Sequence, residues 1–163
     1  NDSGQLGDGT TTNRTLPTPV LGGLVFRSVG AEGAATCALT PAGSAYCWGN
    51  NQFFGNLGDG TLVSSTTPVR VAGGLTFDSL STSRSQACGL TSGHSVYCWG
   101  ASFGGQNITP RLIGTNFQSV AAGNAYACAV TVTGGAFCWG ANSTGQLGDN
   151  TTTGRLAPVW VWP

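Results

Sequence analysis

Three pairs of cysteines carry most of the reactive chemistry available to this chain. Cys37 and Cys47, Cys88 and Cys98, and Cys128 and Cys138 each enclose nine residues, and each second cysteine follows an aromatic residue and precedes Trp-Gly. Thiols paired in this way can form a disulfide, bind zinc, or stay reduced in an apolar interior. Structural zinc wants cysteines roughly two to four residues apart, which this spacing does not offer. A staple across a β-hairpin suits it better. If Cys37 faces Cys47, then Ala38 faces Tyr46 and Leu39 faces Ala45, and Pro41-Ala42-Gly43 is left as the turn. Such a turn needs a last residue that accepts positive φ, and Gly43, His94 and Gly134 hold that place. Directly opposed residues bring their β-carbons within disulfide range. A loop this short adds about 2.5–3 kcal/mol on a chain-entropy model. Three disulfides are expected, with buried reduced thiols as the alternative.

Catalysis has little else to draw on. The single histidine, His94, falls at a hairpin tip, where it is no buried base for a nucleophile. Asp8, Asp59 and Asp149 occupy equivalent places in different repeats, so they are spread apart rather than paired for acid–base work. Each reads as an Asx turn capping its own loop. The alternating oxygen ligands of a calcium loop are missing. No enzyme activity, metal or cofactor is expected. Asn1, Asn13, Asn107, Asn142 and Asn150 stand in Asn-x-Ser/Thr sequons, all read as lying in connections, where covalent glycans could be carried.

Composition narrows the partners. Charged residues are 7% of the 163 and the net charge is zero. The basic footprint of a nucleic-acid binder is therefore missing. No apolar run approaches the length of a membrane helix, so membrane insertion is not expected. Three matched cysteine pairs belong in an oxidising compartment, which places the chain outside the cell, secreted or at its surface. Its first residues, NDSGQLGDGTT, have neither the basic nor the apolar region of an export signal, so any such signal is expected to have been removed.

The elements that would position these residues repeat as well. Each unit reads as a strand of the Pro17–Val20 kind, a second strand such as Leu24–Val29, and the two arms of the cysteine hairpin. No helix is expected. The second hairpin begins 51 residues after the first and the third 40 after the second, because the connection following Gly100 is clipped to ASFGGQNITPRLIG and lacks LGDGT. Residues 142–161 realign on residues 1–20 with a constant offset of 141. The organisation expected is a single repeat domain over 1–163: repeat 1 at 1–50, repeat 2 at 51–100, a short repeat 3 at 101–141, and a partial repeat 4 at 142–163.

CALTPAGSAYCWGNN at 37–51, and GQLGD at Gly4 and Gly145, resemble the regulator-of-chromosome-condensation repeat family. That family joins a Pro-x-x-Val strand, a hairpin ending in Trp-Gly, and an N-x-x-GQLG connection. The resemblance implies a β-propeller of four-stranded blades used to bind proteins. The expected fold is all-β: three propeller-type blades plus an extra C-terminal strand, open or completed by neighbouring subunits. The paired cysteines resemble a secreted branch of the family, which includes a protein inhibitor of β-lactamase. The founding member's nucleotide exchange rests on a wedge outside the consensus that has no counterpart here.

The last strand, Pro158 to Pro163, has no hairpin after it. Trp160 and Trp162 would point to one face and Val159 and Val161 to the other, making a strand that needs cover on both faces and along its edge. The leading expectation is that Val159–Trp162 is donated to another copy of the chain, building an extracellular, glycan-coated filament. One alternative is a piece of a secreted propeller that binds another extracellular protein, as inhibitor or adhesion module. The other is carbohydrate binding, with Trp160 and Trp162 as a stacking platform.

Overall fold

Short strands separated by glycine turns build three antiparallel sheets in the computed structural model, which describes residues 1–102 and 105–162. The first sheet runs β1 (Ser28–Glu32), β2 (Ala35–Leu39), β3 (Ala45–Gly49) and β4 (Ser65–Arg70) in spatial order. The second runs β5 (Ser79–Thr82), β6 (Gln86–Leu90), β7 (Val96–Ser102) and β8 (Gly105–Gly114). The third runs β9 (Phe117–Ala122), β10 (Tyr126–Thr131), β11 (Ala136–Gly140) and β12 (Arg155–Trp160). The inner strand β5 neighbours both β1 and β9. The sheets stand off from them as propeller blades do.

The cysteine hairpins are β2–β3, β6–β7 and β10–β11. Cys37 lies opposite Cys47, Ala38 opposite Tyr46 and Leu39 opposite Ala45. Gly43, His94 and Gly134 take φ values of 81°, 59° and 89°. The three pairs are bonded, with Cα atoms 4.1, 4.1 and 4.0 Å apart. Two apolar seams join the sheets. Phe77, just before β5, and Trp99 of the second sheet pack on the Cys37–Cys47 staple with Leu39, Leu57 and Val71. Phe117 and Trp139 of the third pack on Cys88–Cys98 with Leu90 and Val96. Each such side chain contributes about 1.5–3 kcal/mol by leaving water. Polar clips accompany them: Arg27 donates to the carbonyls of Phe77 and Asp78, and Gln86 to those of Gly123 and Tyr126.

The C-terminal strand is not an extra one, and the expectation that Val159, Trp160, Val161 and Trp162 form a ribbon without a mate is corrected. Trp160 pairs with Phe137 and Val159 with Cys138 on β11, and the Val161 N–H donates to the Ala136 carbonyl at 3.0 Å. The Pro163 part of that expectation lies outside the described residues. Each sheet takes its outer strand from the chain that follows its own hairpin. Folding back on the strand just made closes only a short loop, which costs less chain entropy than reaching a strand still to come. Strands of the Pro-x-x-Val kind therefore end sheets rather than begin them, and the sheets run one strand out of phase with the sequence repeats. The segment without a ladder is instead Pro17–Val20, expected as a first strand. All three sheets are already four strands wide.

Removing residues 155–163 is expected to bare the β11 edge. Amide exchange along Ala136–Gly140 should accelerate and the thermal midpoint should fall. A strand held only by another copy would leave both unchanged in the isolated chain.

Candidate functional site

Three connections, at 1–14, 51–64 and 142–155, share one build, and they shape the surfaces between blades. In each, an asparagine Oδ1 accepts the N–H of a leucine: Asn1 from Leu6 at 2.8 Å, Asn51 from Leu57 and Asn142 from Leu147, both at 2.9 Å. The Asn142 amide also donates to the carbonyls of Thr151 and Thr153 and to Asp149, at 2.9, 3.1 and 3.0 Å. Asp8 accepts from the Thr10 hydroxyl at 2.8 Å and Arg14 Nε at 2.7 Å; Asp149 accepts from Thr151 and Arg155, both at 2.7 Å. The threonine hydroxyl does most to hold each carboxyl at about 2, below the ordinary 3.8, with the arginine assisting against a burial that would raise it. Asp59 has the same threonine contact, from Thr61 at 2.9 Å, but Ser65 stands where the other two connections have arginine. The aspartates cap their own loops.

The tryptophans tie the connections to the sheets. Trp48 Nε1 donates to the Gln5 carbonyl at 2.9 Å, and Trp99 Nε1 to the Asn56 carbonyl at 3.0 Å. Gly7 and Gly58 lie flush with these indoles; a β-carbon on either would come within 2.7 or 2.6 Å of the ring. Trp139 is buried alike, yet its Nε1 has no acceptor. The physical cause is the clipped connection, which lacks the Gly-Gln-Leu-Gly loop that would supply a carbonyl.

The expected site residues fall out unevenly. Five of the six cysteines are buried, while Cys128 is half-buried on the outer face of the third sheet. Val159 and Val161 are half-buried. Trp160 stands edge-on to Phe137 with ring centroids 5.1 Å apart, while Trp162 is 68% exposed and donates its N–H to the Gly148 carbonyl at 2.9 Å. No ring contact joins the two tryptophans among the described residues. Asn142 is buried and fully engaged, and the Asn1 amide donates to the Thr10 and Thr12 carbonyls. Asn107 lies in β8, which corrects its placement in a connection. Asn13 and Asn150 are exposed. His94 gives its Nδ1–H to the Phe117 carbonyl at 3.0 Å, clipping the second sheet to the third.

Two surfaces were missed by the reading from sequence. The connection at 51–64 exposes Phe53, Phe54, Leu62 and Val63, the first and last being 68% and 72% exposed. The equivalents of Leu62 and Val63 are Thr11 and Thr12 in one connection and Thr152 and Thr153 in the other, so aligning the three would have shown the contrast. The second surface is a cavity of about 880 Å³ bounded by Gly145, Gly148, Asn150, Thr151, Thr152 and Trp162.

Stacked four-stranded sheets with an aromatic wedge in each seam define the class: a protein of β-propeller blades. Residues 117–146 match the regulator of chromosome condensation (RCC1) repeat. The chain is similar to the crystal structure of human WBSCR16, with a TM-score of 0.80 and 19% identity over 99% of this chain and 47% of that one. It is also similar to Prp20p from Saccharomyces cerevisiae, at 0.74 and 20% over 85% of this chain and 38% of that one. The ectodomain of the Physcomitrella patens receptor kinase CR4 matches at 0.51 and 26% over 74% of this chain and 29% of that one. The chain thus spans about half or less of the solved structures it matches.

Trp99→Phe is expected to cost about 1–3 kcal/mol more than Trp139→Phe, because the first leaves a buried carbonyl unpaired and the second removes a donor that already lacked a partner. Denaturant melts of the two variants measure the difference. Because the folded carboxyls of Asp8 and Asp149 sit below 3.8, their stabilisation is whole above that pH and is lost as pH falls through about 2. Carboxyl-carbon NMR of Asp8 and Asp149 should therefore titrate with a midpoint at about 2.

Proposed function

We propose that the chain is a non-catalytic, protein-binding section of a β-propeller working in an oxidising, extracellular setting. The observation that carries this reading is the apolar connection at 51–64. Phe53, Phe54, Leu62 and Val63 are solvent-exposed there, while sister connections of the same build carry threonine at the last two places. Exposed aromatic and aliphatic side chains grouped on a rigid scaffold are the material of protein interfaces, where aromatics supply binding anchors. Asn51 pins this connection by donating to the carbonyls of Thr61 and Val63, so the residues are presented in a preset geometry. Protein partners also fit the similar structures: Prp20p is described with binding properties to Gsp1p and histones, and bound by Kap60. The three disulfides support the oxidising setting.

The filament reading loses its donor. Strand donation needs a free strand and a sheet lacking one; β12 is paired within its own chain and each of the three sheets has four strands. Where glycans are added, Asn13 and Asn150 are the exposed sequons that would take them.

The test is a panel of secreted proteins assayed against the immobilised, disulfide-intact chain, alongside a Phe53→Ser/Val63→Ser variant. A partner whose affinity drops at least tenfold in the variant, with an unchanged melt, is the expected result. Binding that ignores the double substitution, or filaments of the unaltered chain in electron micrographs, would sink the reading.

A further inference from the structure

The connections at 1–14 and 51–64 stand side by side, and a hollow of about 210 Å³ opens between them. Half-buried Ser3, Asn50, Ser64 and Thr66 line its floor, and exposed Asp2, Thr11 and Gln52 its rim. Every lining side chain is polar, and one of them is charged. Both connections lie wholly within the chain, so the hollow owes nothing to an open end of the row of sheets.

The floor is held in place by backbone bonds. The Thr66 carbonyl takes the Gly9 N–H at 3.0 Å, tying β4 to the first connection. Ser64 Oγ accepts the Asn51 N–H at 3.0 Å, and the Asn50 N–H goes to the Ala34 carbonyl at 2.7 Å. Gln5 Oε1 holds the Ser3 N–H at 3.0 Å. The lining side chains are by contrast little used. Asn50 Nδ2 reaches Ser3 Oγ only at 3.5 Å. Among the described residues, Asp2, Thr11, Gln52 and Thr66 bond to no protein group through their side chains. Ser64 still has its hydroxyl proton to give. A fixed frame carrying open donors and acceptors loses little on taking up a ligand.

We propose that this hollow binds a neutral saccharide, seated through its hydroxyl groups. The chemistry of the lining selects that class. Phosphate or sulfate would meet the Asp2 carboxylate with no cationic side chain in the wall to offset it. Calcium takes six to eight oxygens and gains affinity from ligand charge, and a single carboxylate supplies little of that. An apolar ligand finds no apolar wall. Sugar hydroxyls each give and accept a hydrogen bond, and the lining offers both halves. Asp2 accepts, the Thr11, Ser64 and Thr66 hydroxyls do either, and the Asn50 and Gln52 amides do both at once. Hydroxyls that displace the waters of such a hollow replace the bonds those waters made. The site uses none of Phe53, Phe54, Leu62 or Val63, so it stands apart from the protein-binding reading.

The test is backbone amide NMR of the intact, disulfide-bonded chain titrated with the methyl glycosides of D-glucose, D-galactose and D-mannose. Saturable shifts at Ser3, Asn50, Gln52, Ser64 and Thr66 are expected with at least one of them. Affinities should differ by about threefold or more among the three, because each changes which hydroxyl meets which wall. Asp2→Asn keeps the shape and removes a charged acceptor, and should weaken the best glycoside about tenfold with an unaltered melt. Gln52→Ala should weaken it as well, while Phe53→Ser/Val63→Ser should leave it unchanged. Absence of shifts with all three glycosides would overturn the proposal, as would indifference to Asp2→Asn. Equal affinity for the three glycosides and for glycerol would mark a wet hollow only and overturn it too. Shifts at these residues with calcium chloride and not with any glycoside would mark a cation site instead.

Discussion

An aromatic pair driven into the seam between successive sheets is the interaction on which the rest of this molecule depends. Phe77 with Trp99, and Phe117 with Trp139, lie against the disulfide of the preceding sheet. No single four-stranded sheet of this size has a core of its own; each becomes stable only when a neighbour covers its face. The disulfide fits this task because it is compact and apolar, and it fixes the two central strands opposite one another. A large ring can then pack on a surface that does not slide. The hairpin arms are thereby both a staple within one sheet and the floor of the next seam.

The glycine loops follow from the same demand. A buried tryptophan must place its indole N–H, and the Gln5 and Asn56 carbonyls meet that need for Trp48 and Trp99. The backbone has to approach the ring closely to do so, which is why Gly7 and Gly58 cannot bear a β-carbon. The seam between the second and third sheets dispenses with the loop and keeps the tryptophan, leaving Trp139 Nε1 buried without an acceptor. Packing outweighs one missing hydrogen bond there, consistent with a net worth of about 1 kcal/mol for such a bond against the larger gain from burying the ring.

Much of this was legible in the residues themselves. Equal cysteine spacing fixed the hairpin register, and the places of Gly43, His94 and Gly134 fixed the turn, because only certain residues take positive φ. The Asx reading of Asp8 and Asp149 needed no more than a threonine two residues on. The sequons were legible as motifs but not as sites. Asn142 satisfies one in letters, while in the fold its amide is the anchor of a loop.

Sequence alone established repeats, staples and the all-β class, since these rest on local spacing and on the period of side chains along a strand. It did not establish which sheet a strand joins. A Pro-x-x-Val segment is equally good as the first strand of one blade or the last of another, and the choice is made by which hydrogen-bonding edge is nearest when the chain turns back. That choice exists only in three dimensions. It left Pro17–Val20, rather than the end of the chain, outside any ladder.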